Sequence, residues 1–207
     1  MSIDALILLF ASYLLGGIPS GLLLGSLRGT DVRQLGSGNI GATNVARTNG
    51  IALGVLTLLL DAGKGALAVG LAQLAAPAGD AAVLPALAAV GVVVGHCFPA
   101  LLKFRGGKGV ATVFGAMLLL APAALLLPLL LFATIAGLSK LISLAAIVAA
   151  LTLPAGAVLA AEPRAIVAAS VLLAAIVIGR HHENIGRLLA GREKPLEIRR
   201  DEALPSK

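Results

Sequence analysis

The sequence predicts an all-α integral membrane protein with seven transmembrane helices, and two observations support that fold class. Of the 207 residues, 58% are hydrophobic and only 13% are charged, whereas a soluble domain usually carries roughly 25% charged residues. The mean hydropathy is +1.00, and apolar runs recur along the whole chain at the length of about 20 residues that crosses a bilayer. We therefore expect residues 1–207 to form a single transmembrane domain.

Four apolar segments are long enough to be predicted as membrane helices by length and composition alone. The first has Asp4 as its only early charge, so it lacks the basic start of a signal peptide and is kept as a helix. The four segments are residues 3–26, 51–76, 82–102 and 165–180.

The 52 residues from Val110 to Ala161 need further division, because they carry a single charge, Lys140, and are too long for one span. Pro122 can break or kink a helix, and the short polar link at 137–143 is typical of a turn. We expect helices at 110–121, 123–138 and 141–160, the first of them too short to span fully.

The positions of the basic residues predict the orientation of these helices. With the N-terminus outside, seven spans place 14 of the 16 Lys and Arg residues on the cytoplasmic side; Arg164 falls outside and Lys64 lies within the second span. Cytoplasmic loops carry such an excess of positive charge. The short links at 77–80 and 162–164 should then face away from the cytoplasm, and residues 192–207 should form a cytoplasmic C-terminal tail.

Three polar segments interrupt the apolar chain, at residues 34–50, 95–112 and 179–193. Seven spans bring all three to the cytoplasmic face, whereas one helix fewer between 110 and 161 would leave the third outside. Their convergence on one face predicts a single site built from three loops.

The first segment, QLGSGNIGATNVARTNG, is typical of an anion-binding loop. Its glycines free backbone N–H groups that can surround an anion, and Arg47 offers a planar fork that suits phosphate. Neutral donors accompany them: Ser37, Asn39, Thr43 and Asn44. An ordinary flexible turn is the alternative. The match of GSGNIG to a dinucleotide-binding fingerprint is rejected, since that motif needs a preceding strand.

The second segment contains RGGKG, with Gly107, Lys108 and Gly109 immediately before an apolar helix. It lacks the full Walker A pattern. Its glycines nevertheless expose backbone N–H groups, and Lys108 adds an ammonium group at a helix N-terminus, which favours anions. Anchoring of its basic residues at anionic lipid headgroups is the alternative.

Three further polar residues lie deeper in the predicted spans. Asp61 and Lys64 are three apart on one helical face and can pair with each other, although charge inside a membrane marks a functional site by default. We expect the pair to support the site structurally, and we favour a packing or helix-end role for His96.

The third segment supplies the candidate for proton transfer, because histidine changes charge near neutral pH. His181 and Asn184 share a helical face, whereas His182 points elsewhere. A metal site is not expected, since adjacent histidines point apart on a helix and no ligand set has zinc-like spacing.

Taken in order, GSGNIGATNVART, GHCFPALLKFRGGKGVAT and HHENIGRLLAGRE closely resemble the three cytoplasmic motifs of the bacterial acyl-phosphate:glycerol-3-phosphate acyltransferase family. The resemblance covers the length of the chain. It implies transfer of a fatty acyl group from acyl phosphate to the 1-hydroxyl of glycerol 3-phosphate, which yields lysophosphatidic acid and phosphate. It also implies a multi-pass protein of the bacterial cytoplasmic (inner) membrane, with its active site on the cytoplasmic face.

The same resemblance implies roles for individual residues. The expected catalytic residues are His181, Asn184 and Ser37. The expected phosphate-binding residues are Arg47, Lys108, Asn39, Thr43, Asn44, Gly107 and Gly109. Glu193 is expected to hold its loop through a basic neighbour, and His182 to be structural. The phosphate of a substrate remains an alternative to His181 as the base.

The expected partners are acyl phosphate, glycerol 3-phosphate and membrane lipid, with no nucleic acid and no cofactor. Docking of the soluble enzyme that makes acyl phosphate is permitted by the basic inner face and is left open. A small anion transporter is the main alternative function, but it would need access from both faces of the membrane. A lipid scaffold would leave the glycine-rich loops unexplained.

Overall fold

The computed structural model describes residues 2–76 and 81–196, and within those ranges all regular structure is helical. The α-helices are α1 (Ile3–Gly16), α2 (Ser20–Ser26), α3 (Ala42–Asn49), α4 (Ile51–Ala75), α5 (Val83–Cys97), α6 (Val110–Leu120), α7 (Leu126–Ser139), α8 (Ile142–Leu159), α9 (Arg164–Arg180) and α10 (His182–Leu189). Short 3₁₀ turns lie at Val32–Gln34, Ala100–Leu102 and Pro122–Leu125. The predicted link at 77–80 and residues 197–207 of the predicted tail lie outside the described residues.

Helical structure is found in each of the seven segments where the sequence predicts it, so the all-α membrane fold is confirmed. The described part of the chain has five segments long and apolar enough to cross a membrane: Ile3–Ser26, Ile51–Ala75, Val83–Leu102, Pro122–Ser139 and Ile142–Leu159. Together α9 and α10 form a sixth candidate, bent by 61°. At about 1.5 Å per residue, α6 with its 11 residues is too short to span, as expected. The count of seven spans remains a prediction.

The first predicted helix is divided in two at Pro19, where α1 ends and α2 begins. Proline has no backbone N–H and its ring crowds the preceding turn, so a helix breaks most easily there.

Close contacts between backbones fix α6 against α4. A side chain at Gly115 would collide with the carbonyl of Ala62, and one at Gly65 would collide with the carbonyl of Thr112. Small residues allow such close approach, which matters in lipid because apolar burial alone does not drive helices together there. The contacts hold the N-terminus of α6 at a fixed position beside α4.

The first polar segment is a loop only in its first half, which corrects the prediction of a continuous loop over 34–50. Helix α3 occupies its second half; Gly41 is the N-cap, and Gly50, with φ of +91°, ends the helix. Buried Val45 and Ala46 form the inner face of α3, and Ala46 packs directly on Gly54 of α4. This apolar face is too short to be recognised as a helix among so many glycines and asparagines.

Candidate functional site

The three polar segments meet around one cavity of about 440 Å³, as the sequence predicts for a single composite site. The predicted site residues that line it are Ser37, Asn39, Thr43, Asn44, Arg47, Lys108, Gly109, His181, Asn184 and Glu193. Of the other two, Gly107 is buried next to Lys108 and His182 is exposed.

Asn44 shapes the first segment from within. Its Nδ2 lies 2.9 Å from the carbonyl oxygen of Val32, 3.1 Å from that of Leu35 and 2.9 Å from that of Asn39. Its Oδ1 accepts a hydrogen bond of 2.8 Å from the backbone N–H of Ser37. The side chain of Asn44 is thus already used inside the loop, which corrects its expected role as a free donor to phosphate.

The N-terminus of α3 opens onto the cavity. Gly41, Ala42 and Thr43 line it, and the first helical hydrogen bonds run from the N–H groups of Asn44 and Val45 to the carbonyl of Gly41. The earlier N–H groups of a helix lack such partners and carry the positive end of its dipole. Arg47, in the last turn of α3, lines the same cavity, so α3 presents both a guanidinium and helix N–H groups to it.

The N-terminus of α6 provides a second arrangement of the same kind. Gly109 is its N-cap with φ of +84°, a left-handed conformation that glycine adopts at little cost. Val110 and Ala111 of the first turn line the cavity together with Lys108. The N-termini of two helices and two cations, Arg47 and Lys108, therefore line the same cavity.

Arg180 fixes the backbone that carries Lys108. Its guanidinium donates to the carbonyl of Gly107 over 3.1 Å and to the carbonyl of Gly106 over 2.9 Å, and it lies 5.3 Å from the ring centroid of Phe98. The N–H of Gly107 donates to the carbonyl of His96 over 3.0 Å. The sequence predicts Arg180 only as one of the cytoplasmic charges. Its contact with Gly106 and Gly107 was not predictable, because every residue carries a backbone carbonyl and the sequence does not distinguish one from another.

Lys108 lies between α5 and α6, outside the predicted spans, and donates a hydrogen bond to Oδ1 of Asn184. Burial lowers its pKa to about 8, and repulsion from the nearby Arg187 adds to that effect. Burial therefore disfavours this positive charge, and a phosphate bound beside Lys108 would favour it.

His181, the N-cap of α10, and Asn184, within α10, both line the cavity and are buried, so the two lie on the same side as their spacing predicts. Nδ1 of His181 lies 2.7 Å from the carbonyl oxygen of Val177. Since a carbonyl can only accept, we assign the proton to Nδ1, which leaves Nε2 with a free lone pair. His182 is exposed instead, with Nδ1 2.9 Å from the carbonyl oxygen of Gly179.

Glu193 connects three parts of the cavity wall. It accepts hydrogen bonds of 2.7 Å from Ser143 and 2.6 Å from Asn184 at Oε1, and one of 2.6 Å from Nε of Arg187 at Oε2. Burial acts to raise the pKa of Glu193, but these three hydrogen bonds outweigh it and hold the pKa below its usual value. The carboxylate thus fixes the amide of Asn184.

Several cavity residues were not predicted as site residues: Asp61, His96, Phe132, Ile142, Ser143, Ala146, Arg187, Arg192 and Lys194. For Arg187 a clue was present, since it follows Asn184 by three residues on one helix. The segment that carries Arg192 and Lys194 is held across the site by the N–H of Leu196, which donates to the carbonyl of Lys140 over 2.9 Å. Apart from Ser143, the wall formed by α7 and α8 is apolar, and its residues resemble the rest of those helices in sequence.

No cluster of three or more His, Cys, Asp or Glu side chains suited to a metal ion is present in residues 2–76 and 81–196.

A family model described as glycerol-3-phosphate acyltransferase matches residues 6–191. Curated relatives of that name include one from Syntrophotalea carbinolica, 47% identical over 90% of this chain and 95% of the relative. Another, from Trichlorobacter lovleyi, is 47% identical over 88% of this chain and 92% of the relative.

Two solved structures are similar along nearly the whole chain. The first is PlsY, an integral membrane glycerol 3-phosphate acyltransferase, in its glycerol 3-phosphate form; the TM-score is 0.88 at 35% identity, over 94% of this chain and 96% of that one. The second is its lysophosphatidic acid form, with a TM-score of 0.85 at 35% identity, over 93% of this chain and 95% of that one.

Proposed function

Because this chain belongs to the glycerol-3-phosphate acyltransferase family, we propose that it transfers a fatty acyl group from acyl phosphate to the 1-hydroxyl of glycerol 3-phosphate. Acyltransferase activity that yields lysophosphatidic acid is common to the family. The identity of the acyl donor and the roles of individual residues are our proposal.

One observation supports acyl phosphate as the donor: two helix N-termini and two cations line the cavity. The N-terminus of α3 with Arg47 and the N-terminus of α6 with Lys108 both line it. Helix N-termini bind phosphate through N–H groups and the helix dipole, and a cation adds a charge-assisted hydrogen bond. Two substrates that each carry a phosphate fit two such ends, whereas a thioester donor would bring no phosphate to the reacting group.

The proposed reaction needs no covalent intermediate on the protein, because the acyl group of acyl phosphate is already activated. Nε2 of His181 accepts the proton of the 1-hydroxyl as its oxygen bonds to the acyl carbonyl carbon. The bond from that carbon to the phosphate oxygen then breaks, and phosphate leaves with the electron pair and recovers the proton. Asn184 orients the glycerol, and the hydroxyl of Ser37 donates to the acyl phosphate.

The acyl chain is proposed to leave the cavity between α7 and α8. Phe132, Ile142 and Ala146 line that side of the cavity. Both helices belong to segments that are long and apolar enough to cross a membrane. This wall lets a fatty chain stay in lipid while its phosphate reaches the polar end of the cavity.

We also propose the orientation that the basic residues predict, with seven spans, an outside N-terminus and the cavity on the cytoplasmic face of the bacterial inner membrane. Membrane-impermeant thiol labelling of single cysteines at positions 38 and 162 tests it in a Cys97→Ser background. Position 162 should react in intact cells and position 38 only after the membrane is opened; the reverse pattern would exclude this orientation.

The purified protein tests the donor directly. With acyl phosphate and glycerol 3-phosphate, lysophosphatidic acid and inorganic phosphate should form in equal amounts, and acyl-CoA or acyl carrier protein should not replace acyl phosphate. Equal rates with acyl-CoA would exclude the proposed donor. Uptake of labelled phosphate into proteoliposomes without lysophosphatidic acid formation would support the transporter alternative instead.

The lowered pKa of Lys108 predicts a loss of activity at alkaline pH. The protonated form binds phosphate, so kcat/KM should be highest well below pH 8 and should fall as the pH rises through about 8 and Lys108 loses its proton. The pH profile of kcat/KM reports groups of the free enzyme, and the second ionisation of a phosphate monoester, near pH 6, lies well below this range. Lys108→Arg should move the fall to higher pH, because a guanidinium stays charged; an unmoved profile would assign the fall to another group.

A further inference from the structure

A buried charged cluster lies between the membrane helices and the cavity. Nζ of Lys64 lies 2.9 Å from Oδ1 of Asp61, 2.9 Å from the carbonyl oxygen of Ile18 and 2.8 Å from Nδ1 of His96. All three charged or polar side chains are at most 6% exposed, so the predicted pairing of Asp61 with Lys64 is confirmed and extends to His96.

The neighbours of Lys64 determine which nitrogen of His96 carries the proton. A carboxylate and a carbonyl can only accept, so both favour the ammonium form of Lys64, which can only donate. Nδ1 of His96 must then accept, and the ring proton lies on Nε2. The hydrogen bond made by one ring nitrogen of a histidine commonly determines whether the other nitrogen carries the proton.

Nε2 of His96 lies beside Gly107, in the loop before α6 where we propose that a phosphate binds. His96 lines the cavity, and a side chain added to Gly107 would collide with Nε2. The absent side chain at Gly107 therefore leaves room for this nitrogen beside Lys108. A donor held at this position is suited to an oxygen atom of a bound phosphate.

We propose that His96 is a further substrate-binding residue whose Nε2–H donates to the phosphate bound at the N-terminus of α6, with Lys64 and Asp61 holding it in that tautomer. The proposal rests on the anion subsite proposed above. The two histidines that line the cavity would then act in opposite ways: Nε2 of His96 donates a hydrogen bond, and Nε2 of His181 accepts a proton.

Nitrogen NMR of the full-length protein labelled with ¹⁵N-histidine tests the tautomer without any assay of activity. The chain has three histidines, so His96→Gln and His182→Gln are sufficient to assign the signals. We expect a proton on Nε2 of His96 and on Nδ1 of His181. Added glycerol 3-phosphate, and separately inorganic phosphate, should shift the Nε2 signal of His96. A proton on Nδ1 of His96, or an Nε2 signal that neither ligand moves, would overturn the proposal.

Matched amide variants test the binding role. Gln at position 96 places an N–H near the position of Nε2, whereas Asn is too short to do so. We expect His96→Asn to raise KM for one phosphate substrate about 10–150-fold, the range for a lost hydrogen bond to a charged group, and His96→Gln to keep most of the affinity. Equal kinetics for the two variants would contradict a donor at Nε2. Unchanged signals of His181 and His182 in each variant establish that the cavity has kept its fold.

The cluster itself is tested by the double variant Asp61→Asn/Lys64→Gln, which removes both charges together and so leaves no unpaired buried charge. Without the ammonium group, the Nδ1 and Nε2 protonated forms of His96 should both be populated. An unchanged tautomer in this variant would show that Lys64 does not set it. This result is independent of the acyl donor, so failure of the donor assay and failure of the tautomer assignment can be told apart.

Discussion

Replacing His181 with alanine should lower kcat for lysophosphatidic acid formation by at least about 100-fold, since base catalysis by a positioned side chain contributes about 100–10,000-fold. The hydrogen bond from Nδ1 to the carbonyl of Val177 holds the ring so that Nε2 is the nitrogen free to take a proton. Steady-state kinetics with both substrates varied separately would measure the effect.

His182→Ala is the matched control, because His182 is the adjacent residue but is exposed and lies outside the cavity lining. Its kcat should change far less. A His181→Ala enzyme that shows only a higher KM for glycerol 3-phosphate would make His181 a binding residue, and a phosphate of the substrate would then be the base. His181→Ala with both constants unchanged would remove this residue from the site.

The sequence was sufficient to predict the membrane fold and the convergence of three segments, because both depend on patterns that any bilayer imposes. A span needs a long apolar run, so Ile51–Ala75 and Ile142–Leu159 lie within one residue of the predicted 51–76 and 141–160. His181 and Asn184 line one cavity, as their spacing predicts, although His181 is the N-cap of α10 and not a residue within the helix.

Contacts between distant residues were not predictable in this way. Asn44 has the composition of a phosphate ligand but donates to the carbonyls of Val32, Leu35 and Asn39. Which partner an amide finds depends on the path of the backbone, which a glycine-rich sequence leaves undefined.

The basic residues show a second limit of sequence reasoning. Arg187, Arg192 and Lys194 line the cavity, whereas Lys103 and Arg105 are exposed on the loop before α6. All five belong to the same excess of charge that the sequence predicts on the cytoplasmic side. Composition gives the side on which a charge lies, but tertiary structure decides whether it faces a ligand.

Removing either of the two cations of the proposed anion subsites should cost about 10–150-fold in kcat/KM, the effect of losing a charge-assisted hydrogen bond to phosphate. The variants are Arg47→Ala and Lys108→Ala. Arg47→Lys should also lose activity, because an ammonium group cannot make the planar two-point contact of a guanidinium. Arg105→Ala, which removes one positive charge from an exposed position close to Lys108 in sequence, is the control and should stay near wild type.

The two variants should also differ in which substrate they affect. Arg47 lies on α3 and Lys108 precedes α6, so each cation should raise KM mainly for the substrate whose phosphate binds at its own helix N-terminus. Varying acyl phosphate and glycerol 3-phosphate separately would separate the two effects. Equal increases in both KM values for both variants would mean that the cavity has one shared anion site, and wild-type kinetics in normally expressed variants would rule out the phosphate contacts. Opposite effects on the two KM values would support two subsites, which would let both phosphates bind at once while the reacting carbonyl and hydroxyl groups meet between them.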